Sequence, residues 1–118
     1  MYRIYGIKNC NTMKKAFDYL NEHAIPYEFH DYKKSGITID KLKLWSAQIG
    51  WEKLLNKQGS TWRALGDETK NSITSEKKAL HLMSEKTSVI KRPVIENDAE
   101  IIVIGFDNAL YDSIHWKQ

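Results

Sequence analysis

The first third of the chain alternates in a way that few folds accommodate. Arg3-Ile4-Tyr5-Gly6-Ile7, within a run of about residues 2–7, is β-branched and aromatic and reads as a short buried strand. From about Asn11 to His23 the pattern changes to a helix, with Met13, Phe17 and Leu20 on one face and Ala16 beside them. Pro26 bars continuation of that helix, and Tyr27-Glu28-Phe29-His30-Asp31-Tyr32 alternates aromatic and polar residues as a second strand. Strand, helix and strand joined by short turns make a β–α–β unit with a right-handed crossover, and the two strands become parallel neighbours.

The middle of the chain, from Lys33 to about Lys86, carries helical signals only. Thr38 or Asp40 can start a helix that packs Leu42, Leu44, Trp45 and Ile49 inward, and Gly50 closes it. Trp51–Asn56 and Ser60–Leu65 read as short helical pieces, stopped before Gly59 and at Gly66. Thr74-Ser75-Glu76-Lys77 opens a further helix with Ala79, Leu80 and Met83 on its apolar face. The last third returns to strands: Pro93–Glu96 and Glu100–Ile104 flank Asn97-Asp98-Ala99 as an antiparallel hairpin, and Asn108–Trp116 has helical spacing. The order is β–α–β, a helical insertion over residues 33–88, then β–β–α, and the 118 residues form one domain.

Cys10 is the only cysteine, and it falls where the first strand ends and the first helix begins. A sulfur at that junction meets unpaired backbone N–H groups and the positive end of the helix dipole, both of which favour thiolate, the nucleophilic form. The competing reading is a small buried hydrophobe or an incidental thiol. One cysteine excludes an intramolecular disulfide, and with no signal peptide ahead of the first strand the expected location is a reducing cytoplasm. Net charge is +3, carried by dispersed lysines and only three arginines, which gives no basic stripe for nucleic acid. No apolar run reaches the roughly 20 residues of a membrane span. His23, His30, His81 and His115 are scattered without metal-ligand spacing, and Trp45, Trp51 and Trp62 read as packing residues.

Three words in order, Tyr5-Gly6-Ile7-Lys8-Asn9-Cys10-Asn11-Thr12, Gly59-Ser60-Thr61-Trp62-Arg63 and Ile90-Lys91-Arg92-Pro93, resemble the arsenate-reductase/Spx family, and within it a subgroup of small bacterial thiol reductases. The resemblance spans Met1 to about Trp116 and implies an α/β, thioredoxin-like fold with a four-stranded mixed sheet. It makes Cys10 the nucleophile, attacking an oxyanion or a disulfide sulfur. It makes Arg92-Pro93 the arginine and cis-proline beside that cysteine, the guanidinium fork being suited to hold a carboxylate or oxyanion. Lys8 either lowers the thiol pKa or is a solvated turn lysine. Arg63 either brings a second cation to the cleft or forms a salt bridge within the insertion. Asn11 and Thr12 either donate to a bound anion or simply cap the helix.

The chain also departs from its apparent relatives. Arsenate reductases of this kind hold the oxyanion with three arginines, whereas Asn56 stands near one of those positions and Gly105-Phe106-Asp107 supplies none. Gly6 replaces an activating histidine four residues before the cysteine, and Cys10-Asn11-Thr12-Met13 lacks the Cys-x-x-Cys of Spx-type regulators. The resemblance therefore implies a monothiol reductase that uses glutathione as co-substrate, with no bound cofactor and no metal. Its partners would be glutathione and an oxidised thiol or oxyanion, with neither nucleic acid nor membrane. An Spx-like regulator that binds RNA polymerase and a weak arsenate reductase are the alternatives.

Overall fold

The computed structural model describes residues 1–117, which fall into two compact units: Met1–Ser35 with the chain from Arg92 onward, and Gly36–Lys91. The first unit contains β1 (Tyr2–Gly6), α1 (Asn11–Glu22), β2 (Tyr27–Asp31) and α2 (Tyr32–Ser35). After the second unit the chain returns to it with β3 (Val94–Asn97), β4 (Glu100–Ile104) and α8 (Asn108–Asp112). The strands form one four-stranded sheet in the order β2-β1-β3-β4. β1 pairs parallel with β2 and antiparallel with β3, which pairs antiparallel with β4. The mixed, thioredoxin-like sheet expected from the sequence is the one observed.

Strand alternation sorts the residues of this sheet onto two faces. Tyr2, Ile4, Ile95 and Val103 are buried in one core with Met13, Ala16, Tyr19 and Leu20 of α1 and Tyr111 of α8. Burying a large apolar side chain of this type contributes about 1.5–3 kcal/mol. Arg3, Tyr5 and Glu96 alternate with those core residues along β1 and β3. The hairpin between β3 and β4 turns on Asp98 and Ala99, both at positive φ (50° and 68°), the combination whose twist matches the flanking strands.

The second unit comprises α3 (Ile39–Ile49), α4 (Trp51–Leu54), α5 (Ser60–Arg63), α6 (Asp67–Ser72), α7 (Glu76–Glu85) and a 3-10 turn at Thr87–Val89. Thr38 caps α3 by accepting from Lys41 N–H, and Ser75 caps α7 by accepting from Lys78 N–H. α3 and α7 lie against each other, and Leu42, Trp45, Ala79, Leu80 and Met83 are buried. The unit is closed by a bridge between Leu55 and Ile90, with Lys91 N–H donating to Leu54 O across 2.8 Å.

Several boundaries differ from the sequence expectation, each for a local reason. β1 stops at Gly6, and Tyr32 begins α2 rather than ending β2, where Asp31 Oδ1 accepts the Lys33 N–H at 2.9 Å and bends the chain. Leu44 is 53% exposed because Leu42, Trp45 and Ile49 occupy the inward stripe of α3 and residue 44 falls off it. α8 ends at Asp112, not near 116. Beyond it, Ile114 N–H and the Trp116 indole N–H both donate to Tyr111 O, at 3.1 and 2.9 Å, which turns the tail back so that Trp116 meets the Tyr2 ring edge-on at 5.2 Å. α6 carries no apolar stripe, and none of its residues is buried, which is why its periodicity gave no signal.

Candidate active site

Cys10 is the N-cap of α1, with extended backbone (φ −140°, ψ 133°) and a half-buried side chain. Its carbonyl already accepts the first helical bond, from Lys14 N–H at 2.9 Å, so the side chain is left beside the unpaired amides of the first turn. That turn contains no acidic residue to compete for them. From the other side of the chain Arg92 Nε donates to Cys10 Sγ across 3.4 Å. Burial pushes the thiol pKa up. The Arg92 N–H, the backbone amides of Met13 and Thr12 and the Arg92 charge outweigh it, leaving the thiol below its ordinary value.

β1 and β3 are what bring these two groups together, since Arg92 immediately precedes β3 and β1 leads into the Cys10 turn. The Arg92–Pro93 peptide is cis, Pro93 is buried, and its carbonyl accepts Gly105 N–H at 2.8 Å. Gly6 is required by a close approach: a Cβ there would lie 2.5 Å from Met13 Cε and nearer still to its sulfur. Met13 is fully buried. The space a histidine would need at this position therefore belongs to the core.

The remaining sequence candidates divide. Thr12 is half-buried and contributes its amide to the sulfur, whereas Asn11 is exposed at the first position of α1. Lys8 is exposed on the turn before Cys10 and lines a cavity of about 550 Å³ with Phe17, Tyr27, Phe29 and Lys34. Arg63 lies in the second unit as the last residue of α5, exposed, its carbonyl accepting from Lys70 Nζ at 3.1 Å. Asn56, also in the second unit, accepts Gln58 N–H at 3.0 Å in a local turn, and a Cβ at Gly59 would sit 2.9 Å from its Nδ2. Among the described residues no three His, Cys, Asp or Glu side chains gather as a metal site.

A polar group escaped the sequence reading. Tyr5 OH donates to Glu96 Oε1 at 2.5 Å in the interior, and burial followed by this bond pushes the Tyr5 phenol up to about 12. The Tyr5 ring lies 4.7 Å from that of His30 and 6.3 Å from that of Tyr32. Tyr32 OH is buried without a hydrogen-bond partner, and its pKa is raised, first by burial, within the fields of Tyr5, Arg92 and Glu96. A glutamate closing the otherwise apolar word Pro93-Val94-Ile95-Glu96 was the available signal.

Residues 5–114 match the model of the ArsC family. The chain belongs to the ArsC family. It is similar to the solved structure of the YffB protein (43% identity, TM-score 0.88, covering 96% of this chain and 97% of that one). It is also similar to an arsenate reductase (ArsC) related protein from Brucella melitensis (42% identity, TM-score 0.77, covering 95% and 92%). The global transcriptional regulator Spx of Streptococcus pneumoniae is 26% identical over 109 residues, which is 91% of this chain and 80% of the regulator. In this ArsC-family chain the cysteine that opens α1 and the arginine before β3 are hydrogen-bonded although 82 positions separate them.

Proposed function

We propose that this ArsC-family chain is a glutathione-dependent monothiol reductase acting through the Cys10 thiolate. The observation that carries the reading is the Arg92 Nε–Cys10 Sγ hydrogen bond at a helix start, which stabilises the nucleophile and places a guanidinium beside the reacting sulfur. The thiolate attacks one sulfur of a disulfide R–S–S–G, where G–S is glutathione. The S–S bond breaks, R–S⁻ leaves and Cys10–S–S–G forms. Since Cys10 is the sole cysteine, an external thiolate completes the cycle. A second glutathione attacks the glutathionyl sulfur, releasing oxidised glutathione and the Cys10 thiolate. The net exchange is RSSG + GSH → RSH + GSSG.

Arg92 has the planar donor set to meet a glutathione carboxylate, and Asn11, Thr12, Pro93 and Lys8 flank the same sulfur in sequence or in space. The test is mass analysis after incubation with oxidised glutathione. One glutathionyl adduct on Cys10, released by added glutathione and absent in Cys10→Ser, is the expected result; an unmodified chain contradicts the reading. Arg92→Ala should weaken use of glutathione, and Lys8→Ala and Arg63→Ala test the other two cations separately. With Gly6 and Asn56 where arsenate reductases carry site residues, arsenate reduction should be weak.

The Spx relative favours a second reading, a regulator that binds RNA polymerase. Recovery of RNA polymerase in a pull-down that Cys10→Ser leaves intact would support it.

A further inference from the structure

The cavity beside the Cys10 turn has the composition of a binding site for one particular kind of leaving group. Tyr27 and Phe29 stand on the same face of β2 as Asp31, and Phe17 of α1 meets them: its ring lies 5.7 Å from Tyr27, stacked, and 5.0 Å from Phe29, edge-on. Phe29 is 36% exposed, so this aromatic wall is open on the sheet edge. Phe17 is seven residues beyond Cys10, roughly 10 Å along the axis of α1 from its N-terminal end. Lys8 and Asn9, from the turn that leads into Cys10, line it on one side, and Lys34 and Ser35 of α2 line it as well. Neither lysine has an ion pair among the described residues, whereas Asp31 is engaged by the Lys33 amide. The volume of about 550 Å³ falls in the range of small-molecule pockets, and its charge balance favours an anion.

We propose that this cavity receives the R half of the disulfide, and that R is an aromatic thiol bearing a carboxylate. The proposal rests on the monothiol-reductase reading and specifies its substrate. During attack by Cys10, the ring lies against Phe17, Tyr27 and Phe29, and its carboxylate meets Lys8 or Lys34. The aromatic thiolate then leaves with the electron pair of the broken S–S bond, and the glutathionyl group stays on Cys10.

The test compares kcat/KM of the full chain for two substrates. One is the mixed disulfide of glutathione with 5-thio-2-nitrobenzoate, and the other that with 2-mercaptoethanol, which has neither ring nor charge. The intrinsic reactivities of the two disulfides cancel when the ratio of the two constants is compared between wild type and variant. Phe29→Ala and Lys34→Glu both alter exposed side chains, so both should fold. Each should lower the aromatic-to-aliphatic ratio, by about threefold to tenfold if one ring contact or one charge contact is lost. A ratio unchanged in both variants, with the aliphatic disulfide still reduced, overturns the cavity assignment and leaves the reductase reading standing. Reduction of neither disulfide by the wild type overturns both.

Discussion

Gly6→Ala is a one-carbon change whose cost follows from the packing between β1 and α1. The added Cβ would lie 2.5 Å from Met13 Cε, in a core where Met13 has no exposed surface to retreat to. Overpacking of this kind costs about 1–3 kcal/mol. For a chain of this length that is roughly 3–6 °C of melting temperature per kcal/mol. Met13→Ala alone removes a fully buried side chain and should cost about 2–5 kcal/mol. Combined, the two changes should cost less than their sum by about 1–2 kcal/mol, because the new methyl group occupies space the methionine vacated. Urea unfolding of the four proteins in this cycle measures the coupling. Because the Met13 amide also bears on the Cys10 sulfur, Gly6→Ala should slow Cys10 alkylation in the same samples. An unchanged unfolding midpoint for Gly6→Ala, or strict additivity in the double variant, would refute the reasoning.

Three further outcomes are expected. Tyr5→Phe removes the donor 2.5 Å from the buried Glu96 carboxylate and should cost about 1–3 kcal/mol in urea unfolding, while Tyr27→Phe, on a half-buried ring at the sheet edge, should be near neutral. Asp107→Ala deletes the α8 cap that accepts Leu110 N–H at 2.8 Å and should cost about 1 kcal/mol, read by unfolding and by loss of the near-ultraviolet signal of the Tyr111–Trp116 packing. The Cys10 thiol lies below its ordinary value in the folded chain, so its ionisation stabilises the fold fully above the unfolded thiol's pKa. That contribution fades as pH falls through the folded one, and the stability difference between wild type and Cys10→Ser should shrink accordingly.

What could be read in advance was what depends on neighbours in sequence. Met13, Ala16 and Leu20 at helical spacing, Pro26 as a stop, and the paired strands around Asp98-Ala99 fixed the element order, because each signal is local. Cys10 and Arg92-Pro93 were legible as words, and the sheet explains their meeting: β1 pairs with β3, so the residues flanking those strands converge. The pieces that escaped depend on tertiary placement. Tyr27 and Phe29 were visible as strand alternation but not as a cavity wall, since that needed Phe17 from α1 across the sheet face. Tyr5, Glu96 and Tyr32 come from three elements, and only the pairing register puts two of them on one face. α8 ran short because a carbonyl the next turn would have used is taken by the Trp116 indole, a contact no periodicity reveals.

The pH dependence of Cys10 alkylation, followed by mass in wild type, Arg92→Lys and Arg92→Ala, tests the thiolate claim most directly. The account predicts a wild-type midpoint below the unperturbed thiol value of about 8.5, an upward move in Arg92→Ala, and an intermediate position for Arg92→Lys. A wild-type thiol titrating at the unperturbed value, or one indifferent to the loss of Arg92, would contradict it.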